Sequence, residues 1–179
     1  MKDMKHASRI ALVLAVLAHS GCGYSLAGRG SFLPDYIKRI GVPQFTNNTA
    51  VFQLDRQVTE RVRTEFIGRG KWTVVPESSG VDGLVTGVIS SVSLTPVNFN
   101  QANQATRYAL TLSASVEFKD MRTNKVLWSN PSMQYREEFA LNPTNALDTA
   151  SFLGQDLNAR ERMSNEFARA LVSAILEAF

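Results

Sequence analysis

Cysteine occurs once in the 179 residues, as Cys22, and histidine twice, as His6 and His19. A single cysteine excludes an internal disulfide framework, and no Cys/His set with metal-ligand spacing can be assembled from so few donors. Both histidines fall within the first 19 residues, so a chain that loses this segment has none. Ser–His and Cys–His nucleophilic machinery is then excluded, and His-ligated zinc with it. Long apolar runs are also missing. The run Ile10–Ala18, IALVLAVLA, is nine residues, against the roughly 20 that a membrane-spanning helix needs. Nor is there a large excess of one charge. The chain has 19 Lys+Arg and 16 Asp+Glu, and the first 21 residues hold Lys2, Lys5, Arg9 and Asp3. The remainder therefore carries 16 against 15, a net charge of +1. No nucleic-acid partner is expected from that balance.

What the N-terminus does contain is ordered. A basic start leads into an apolar run of the length of a secretory h-region, typically 7–15 residues, and then into His19, Ser20, Gly21 and Cys22. This order resembles the lipobox of bacterial lipoproteins. Ser20 and Gly21 suit the two positions before the cut, and His19 stands where an aliphatic residue is usual. The resemblance implies a signal peptide over residues 1–21 and cleavage before Cys22. It further implies a diacylglycerol on the Cys22 thiol and an acylated, palmitate-type amino terminus. Two or more acyl chains, each contributing about 0.8 kcal/mol per buried methylene, make a stable anchor. Gly23, in place of the aspartate that serves as an inner-membrane retention signal, implies the outer membrane. A retained signal-anchor with an incidental Cys22 fails on length and on the absence of a stop-transfer pattern.

Residues 22–36 are Gly- and Ser-rich and read as a lipidated tether. The remaining residues, 37–179, suit a single domain. The segment 37–45, IKRIGVPQF, reads as a first strand, with Pro43 marking an edge or an end. Polar cap candidates at 46–49 precede an expected helix over about 51–68. There Leu54, Val58, Val62 and Phe66 recur at four-residue spacing, and Gly68 and Gly70 supply the stop. A short strand is expected at 71–76 and a longer one at 84–94. Residues 95–107, rich in Asn and Gln, read either as a long hairpin tip or as strands continuing past the sheet body. In 108–119, Tyr108, Leu110, Leu112, Ala114, Val116 and Phe118 alternate with Ala109, Thr111, Ser113, Ser115, Glu117 and Lys119. Period two over twelve residues gives one buried and one solvated face. Residues 120–124 read as a turn and 125–129 as the returning strand, continued over 132–141 beyond a bulge at Asn130-Pro131. Residues 142–156 read as a loop. An amphipathic helix over about 156–178 closes the chain, with Met163, Phe167, Leu171, Ala174 and Ile175 as its stripe. The economical arrangement is an α+β two-layer sandwich, with two helices packed on one face of a mainly antiparallel sheet.

Several segments in this order carry a family likeness: GCGYSLAG, IKRIGVPQFTNNT, WTVVPE, DGLVTGVI, YALTLSASVEFKD with NKVLW, and the terminal helix. They resemble the lipopolysaccharide-assembly lipoprotein family, LptE, over essentially the whole chain after residue 21. The resemblance implies a non-enzymatic protein without a cofactor, anchored at the periplasmic face of the outer membrane. It would plug and help assemble an LptD-type β-barrel translocon and would contact lipopolysaccharide. The alternative is another outer-membrane lipoprotein binding module, touching peptidoglycan or a secretion machine. A barrel lumen is polar, which suits the Ser/Thr face of 111–115 and the amide-rich 98–104. Ordinary solvation would suit them equally.

Lipopolysaccharide phosphates call for Lys or Arg. Arg107, Lys119, Arg122 and Lys125 lie near strand ends and the 120–124 turn, and Arg136 is a fifth candidate. A solvated, soluble turn is the competing reading of the same residues. Two other patterns carry no chemistry. Residues 28–30, GRG, lack the rest of a phosphate-loop fingerprint. Glu137 and Glu138 are adjacent on a strand, so they point to opposite faces and cannot act as a glycosidase pair.

Overall fold

The computed structural model describes residues 33–140, 152–153 and 156–178. Cys22, the expected signal peptide, and most of the expected tether and of the 142–156 loop lie outside the described residues. Six strands and two long helices follow one another as β1 (Arg39–Gly41), β2 (Thr46–Asn47), α1 (Leu54–Gly68), β3 (Thr73–Val75), β4 (Gly83–Phe99), β5 (Ala105–Asp120), β6 (Val126–Ala140) and α2 (Leu157–Glu177). The sheet order is β3-β1-β4-β5-β6, with β2 also pairing β4. The long ladders, β4–β5 and β5–β6, are antiparallel; the short ones, β1–β3, β1–β4 and β2–β4, are parallel. The expected α+β sandwich is thus the observed fold, with a small parallel corner that the sequence did not announce.

Period two in β5 holds from Leu110 to Lys119: Leu110, Leu112, Ala114, Val116 and Phe118 are buried, whereas Ser115 is exposed and Thr111, Ser113, Glu117 and Lys119 are partly exposed. It fails at the start, where Ala109, expected on the solvated face, is 2% exposed between its partners Thr95 and Glu138, and Tyr108, expected on the buried face, is half-buried. Both helices cover the apolar face: Leu54, Val58, Val62 and Phe66 from α1 join Met163, Phe167, Leu171 and Ile175 from α2 in one core. Arg61 Nη2 meets Glu161 Oε1 at 2.7 Å, and Arg69 Nη2 donates to Ser173 Oγ at 2.9 Å. These ties occur in the same order along both helices, so α1 and α2 run parallel. Asp156 caps α2 by accepting from the Ala159 N–H at 2.8 Å, the usual N-cap role of an acidic residue.

Two boundaries and the expected caps differ from the sequence expectation. The expected strand 37–45 is shortened to β1, with β2 formed by residues expected as cap candidates; the Val42 N–H still bonds the Val75 carbonyl at 2.8 Å, and the chain then leaves the ladder over 43–45, where Phe45 is buried. Phe45 lies against Gly87, and a Cβ on Gly87 would clash with three carbons of its ring. The helix begins at Leu54 rather than 51, since Gln53 takes a left-handed conformation, φ 58°, and gives no side-chain cap. Asn47 and Thr49, expected as caps, instead organise the preceding loop. Asn47 Oδ1 accepts from the Thr49 N–H at 3.0 Å, and Asn47 Nδ2 donates to the Val51 carbonyl at 2.8 Å.

The strands β4 and β5 continue well past the sheet body, to Phe99 and from Ala105, which resolves the 95–107 ambiguity in favour of strand continuation. On β6 the ladder skips at Pro131 and Ser132, which together oppose Ser115. That is the expected bulge, and the Ser132 N–H closes it onto Asn130 Oδ1 at 3.0 Å.

Candidate functional site

The face of the sheet turned away from the helices carries mostly hydroxyl and amide groups. Ser91 lies opposite Ser113 and Ser93 opposite Thr111, while Gln134 and Arg136 face Ser113 and Thr111 from β6. From Gly83 to Thr106 the sequence has no charged residue. Charge gathers instead at the two ends of the long ladder.

At one end, Lys119, Arg122 and Lys125 surround the 121–124 turn. The turn is built on Asp120, which is 1% exposed. Its Oδ1 accepts from the Arg122 N–H at 2.8 Å; its Oδ2 accepts from Thr123 Oγ1 at 2.6 Å and from the Tyr36 hydroxyl at 2.5 Å. Burial alone would raise the Asp120 pKa. The Thr123 and Tyr36 hydroxyls and the Arg122 and Thr123 N–H groups outweigh it and hold the carboxyl at about 2, as expected when hydrogen bonds favour the charged form. The Tyr36 pKa is raised, chiefly by that same bond to Asp120. The Arg122 guanidinium lies 4.5 Å from the centroid of the Tyr36 ring, a cation–π geometry. It also reaches 4.0 Å from Asp82 Oδ1. Asp82 in turn accepts from the N–H groups of Arg39 (2.9 Å) and Lys38 (3.0 Å), which lower its pKa. Lys119 and Lys125 make no ion pair with another described residue.

At the other end, Arg107 and Arg136 share one carboxylate, Glu138, at 3.6 and 3.7 Å. Twelve residues of continuous strand separate Arg107 from Lys119, roughly 40 Å at about 3.3 Å per residue. The five basic candidates therefore form two groups, not one. Sequence reading did not single out Tyr36, Asp82 or Asp120. The four described residues of the expected tether, Leu33–Tyr36, hold to the domain: Leu33 is buried and Tyr36 is bonded to Asp120. The lone signal was an aspartate directly before a turn, a residue type that bonds its own following N–H groups.

Glu137, discounted above, has a structural role. It accepts from the Tyr135 hydroxyl at 3.1 Å and pairs with Arg162 at 3.4 Å. Burial first, then the Glu137 charge, push the Tyr135 pKa up to about 12. Among the described residues no group of His, Cys, Asp or Glu is arranged to hold a metal. No helix of the described residues is long and apolar enough to cross a membrane.

The arrangement is a helix-backed sheet with a polar open face and basic side chains at its ends. The lipopolysaccharide-assembly family model, LptE, matches residues 37–175. The chain belongs to the LptE lipopolysaccharide-assembly family. Similar folds occur in the hypothetical protein CT253 from Chlamydia trachomatis (TM-score 0.54, 11% identity, covering 79% of this chain and 97% of that one). They occur also in protein XCC0632 from Xanthomonas campestris (TM-score 0.50, 12% identity, covering 79% and 84%). The rare lipoprotein B from Shewanella oneidensis aligns with a TM-score of 0.48 and 13% identity, over 78% of this chain and 98% of that one. No curated protein matches the chain in sequence. Members of this family carry no cofactor.

Proposed function

We propose that this chain is an outer-membrane lipoprotein, anchored through lipid on Cys22 at the periplasmic face. In this reading it plugs and helps assemble an LptD-type β-barrel translocon and so supports lipopolysaccharide delivery to the outer leaflet. The observation that carries the reading is the family match over residues 37–175, which spans α1, the whole sheet and α2 as far as Ile175. The open hydroxyl-rich face supports it. A plug must remain folded while presenting polar, weakly charged surface to a polar lumen, and an apolar core sealed by helices on one side allows that. The basic side chains at the ladder ends are the groups suited to lipopolysaccharide phosphates. Lys119 and Lys125, which have no carboxylate partner among the described residues, are better placed for this than Arg107 and Arg136, which share Glu138. No catalytic step is assigned to any residue.

The test is affinity purification of the full chain from envelope membranes. An outer-membrane barrel should co-purify in comparable amount. Recovery of a secretin or of cell-wall fragments in its place would refute the plug reading in favour of another envelope contact. Cys22→Ser should release the protein from the membrane fraction, and an unchanged distribution would remove the lipid anchor from the account.

A further inference from the structure

Leu33–Tyr36, the described part of the expected tether, enters the domain at one end of the sheet. Leu33 is 4% exposed and lines a small pocket with Ile37, Lys38, Lys71 and Trp72, just before β1 and β3 begin. Tyr36 is bonded to Asp120, the last residue of β5, and the Arg122 guanidinium covers its ring. The other strands of the main path, β1, β3, β4 and β6, all start at this end, because they run parallel to one another and antiparallel to β5. The rim is basic. Lys38, Arg39, Lys71, Arg122 and Lys125 are exposed, and Lys119 is partly so. The Lys38, Lys119 and Lys125 side chains make no ion pair with another described residue. The carboxylates facing them are Asp35 and Glu177, both exposed, with Asp82 and Asp120 held by hydrogen bonds. The neighbouring Arg69 and Glu65 pair with each other at 2.9 Å. Cations are left in excess. At the far end the guanidinium groups are matched instead, Arg107 and Arg136 by Glu138 and Arg162 by Glu137.

The length of the tether decides which end lies near lipid. Ten residues, 23–32, separate Cys22 from Leu33, and fully extended they reach about 40 Å. The strand β4 is seventeen residues long, roughly 55 Å at about 3.3 Å per residue. A domain standing on its far tip would hold Leu33 further from the membrane than the tether can span. The basic rim is therefore at the end kept close to the surface. We propose that this rim docks on the anionic phospholipid headgroups of the leaflet that holds the anchor, with Lys38, Lys119, Arg122 and Lys125 meeting their phosphates. The domain then stands with the β4–β5 tip pointing away from that leaflet. Each Lys or Arg near an anionic surface strengthens its attachment about fivefold, and acyl chains with a basic patch form a two-signal anchor. The inference rests on the Cys22 anchor proposed above, and it assigns this end to resident phospholipid.

Energy transfer to the membrane surface tests it. The full chain is reconstituted into three kinds of vesicle, each with an acceptor dye on its headgroups: phosphatidylcholine alone, with added phosphatidylglycerol, or with added lipopolysaccharide. The donor dye sits at Val126→Cys, 42% exposed beside Lys125, or at Gln101→Cys at the far tip. In phosphatidylglycerol vesicles transfer should be stronger from position 126 than from 101. That excess should shrink in phosphatidylcholine alone and in about 1 M salt, where the screening length falls to about 3 Å. It should also shrink in the double variant Lys119→Gln, Lys125→Gln, with the thermal midpoint unchanged. Equal transfer from the two positions overturns the proposal. So does an excess indifferent to phosphatidylglycerol, salt and the lysine pair, since the tether alone then sets the orientation. An excess that appears with lipopolysaccharide and not with phosphatidylglycerol also overturns it. Flotation judges the anchor separately. A chain that leaves neutral vesicles but floats with phosphatidylglycerol through these lysines refutes the anchor and leaves the headgroup contact standing. A chain that floats with neither overturns both.

Discussion

Thr59 sits at the joint between α1 and the sheet, and a single substitution there tests how the helix is fixed. It is 1% exposed. Its Oγ1 accepts from the Phe45 N–H at 3.0 Å and donates to the Asp55 carbonyl at 2.6 Å. Phe45 is itself 2% exposed and its backbone has left the β-ladder, so that N–H has no second partner among the described residues. Thr59→Val keeps the shape and removes the oxygen. The cost is a buried donor left unsatisfied, about 1–3 kcal/mol. Thr59→Ser keeps the oxygen and loses one methyl, about 1 kcal/mol. For a chain of this size each kcal/mol moves the thermal midpoint by about 2–4 °C. Valine should therefore lower the midpoint by roughly 2–12 °C, and serine by less than valine. Amide hydrogen exchange supplies an independent reading, since the Phe45 amide should lose protection in Thr59→Val and keep it in Thr59→Ser. A valine variant as stable as wild type, with the Phe45 amide still protected, would refute the reasoning.

Asp120 is held at a pKa of about 2, below its unfolded value, so it stabilises the fold above the unfolded pKa, and that contribution disappears as pH falls towards 2. Urea midpoints should drop across about pH 4 to 2; Asp120→Asn should lack this component of the slope, and identical slopes would contradict it. Gly87→Ala drives a Cβ against the Phe45 ring and should cost about 1–3 kcal/mol through overpacking, read in denaturant unfolding; a cost below about 0.5 kcal/mol on the same scale would show that Phe45 yields freely. The two basic groups are far enough apart that their effects on lipopolysaccharide binding should add. Combining Lys119→Ala and Lys125→Ala with Arg107→Ala and Arg136→Ala should multiply the fold-losses of the two pairs, measured by binding titration; strong non-additivity would mean one shared site.

Much of this fold is written locally. The alternation of β5, the four-residue apolar spacing of α1, the Asp156-led helix α2 and the bulge at Pro131 each follow from a few consecutive residues, which is why the sandwich was legible. The parallel corner was not. Pairing of Arg39 with Thr73 and of Thr46 with Val88 is long-range, and at the departure over 43–45 Phe45 finds room over Gly87, forty-two positions away. No window around Pro43 contains that information. The same limit governs the site. Arg107 and Lys119 are close in sequence, but an extended strand converts twelve residues into its full length.

The bulge on β6 has a consequence for assembly. Among the described residues β6 has no strand beyond it, so its free edge is a template for adding another chain. Pro131 contributes no N–H, and the interruption cuts fifteen residues into runs of five and eight. Arg136, Glu137 and Glu138 then place charge on the longer run. A sheet divided and charged in this way resists edge-to-edge growth, so copies of the domain can be crowded together without zipping into fibres.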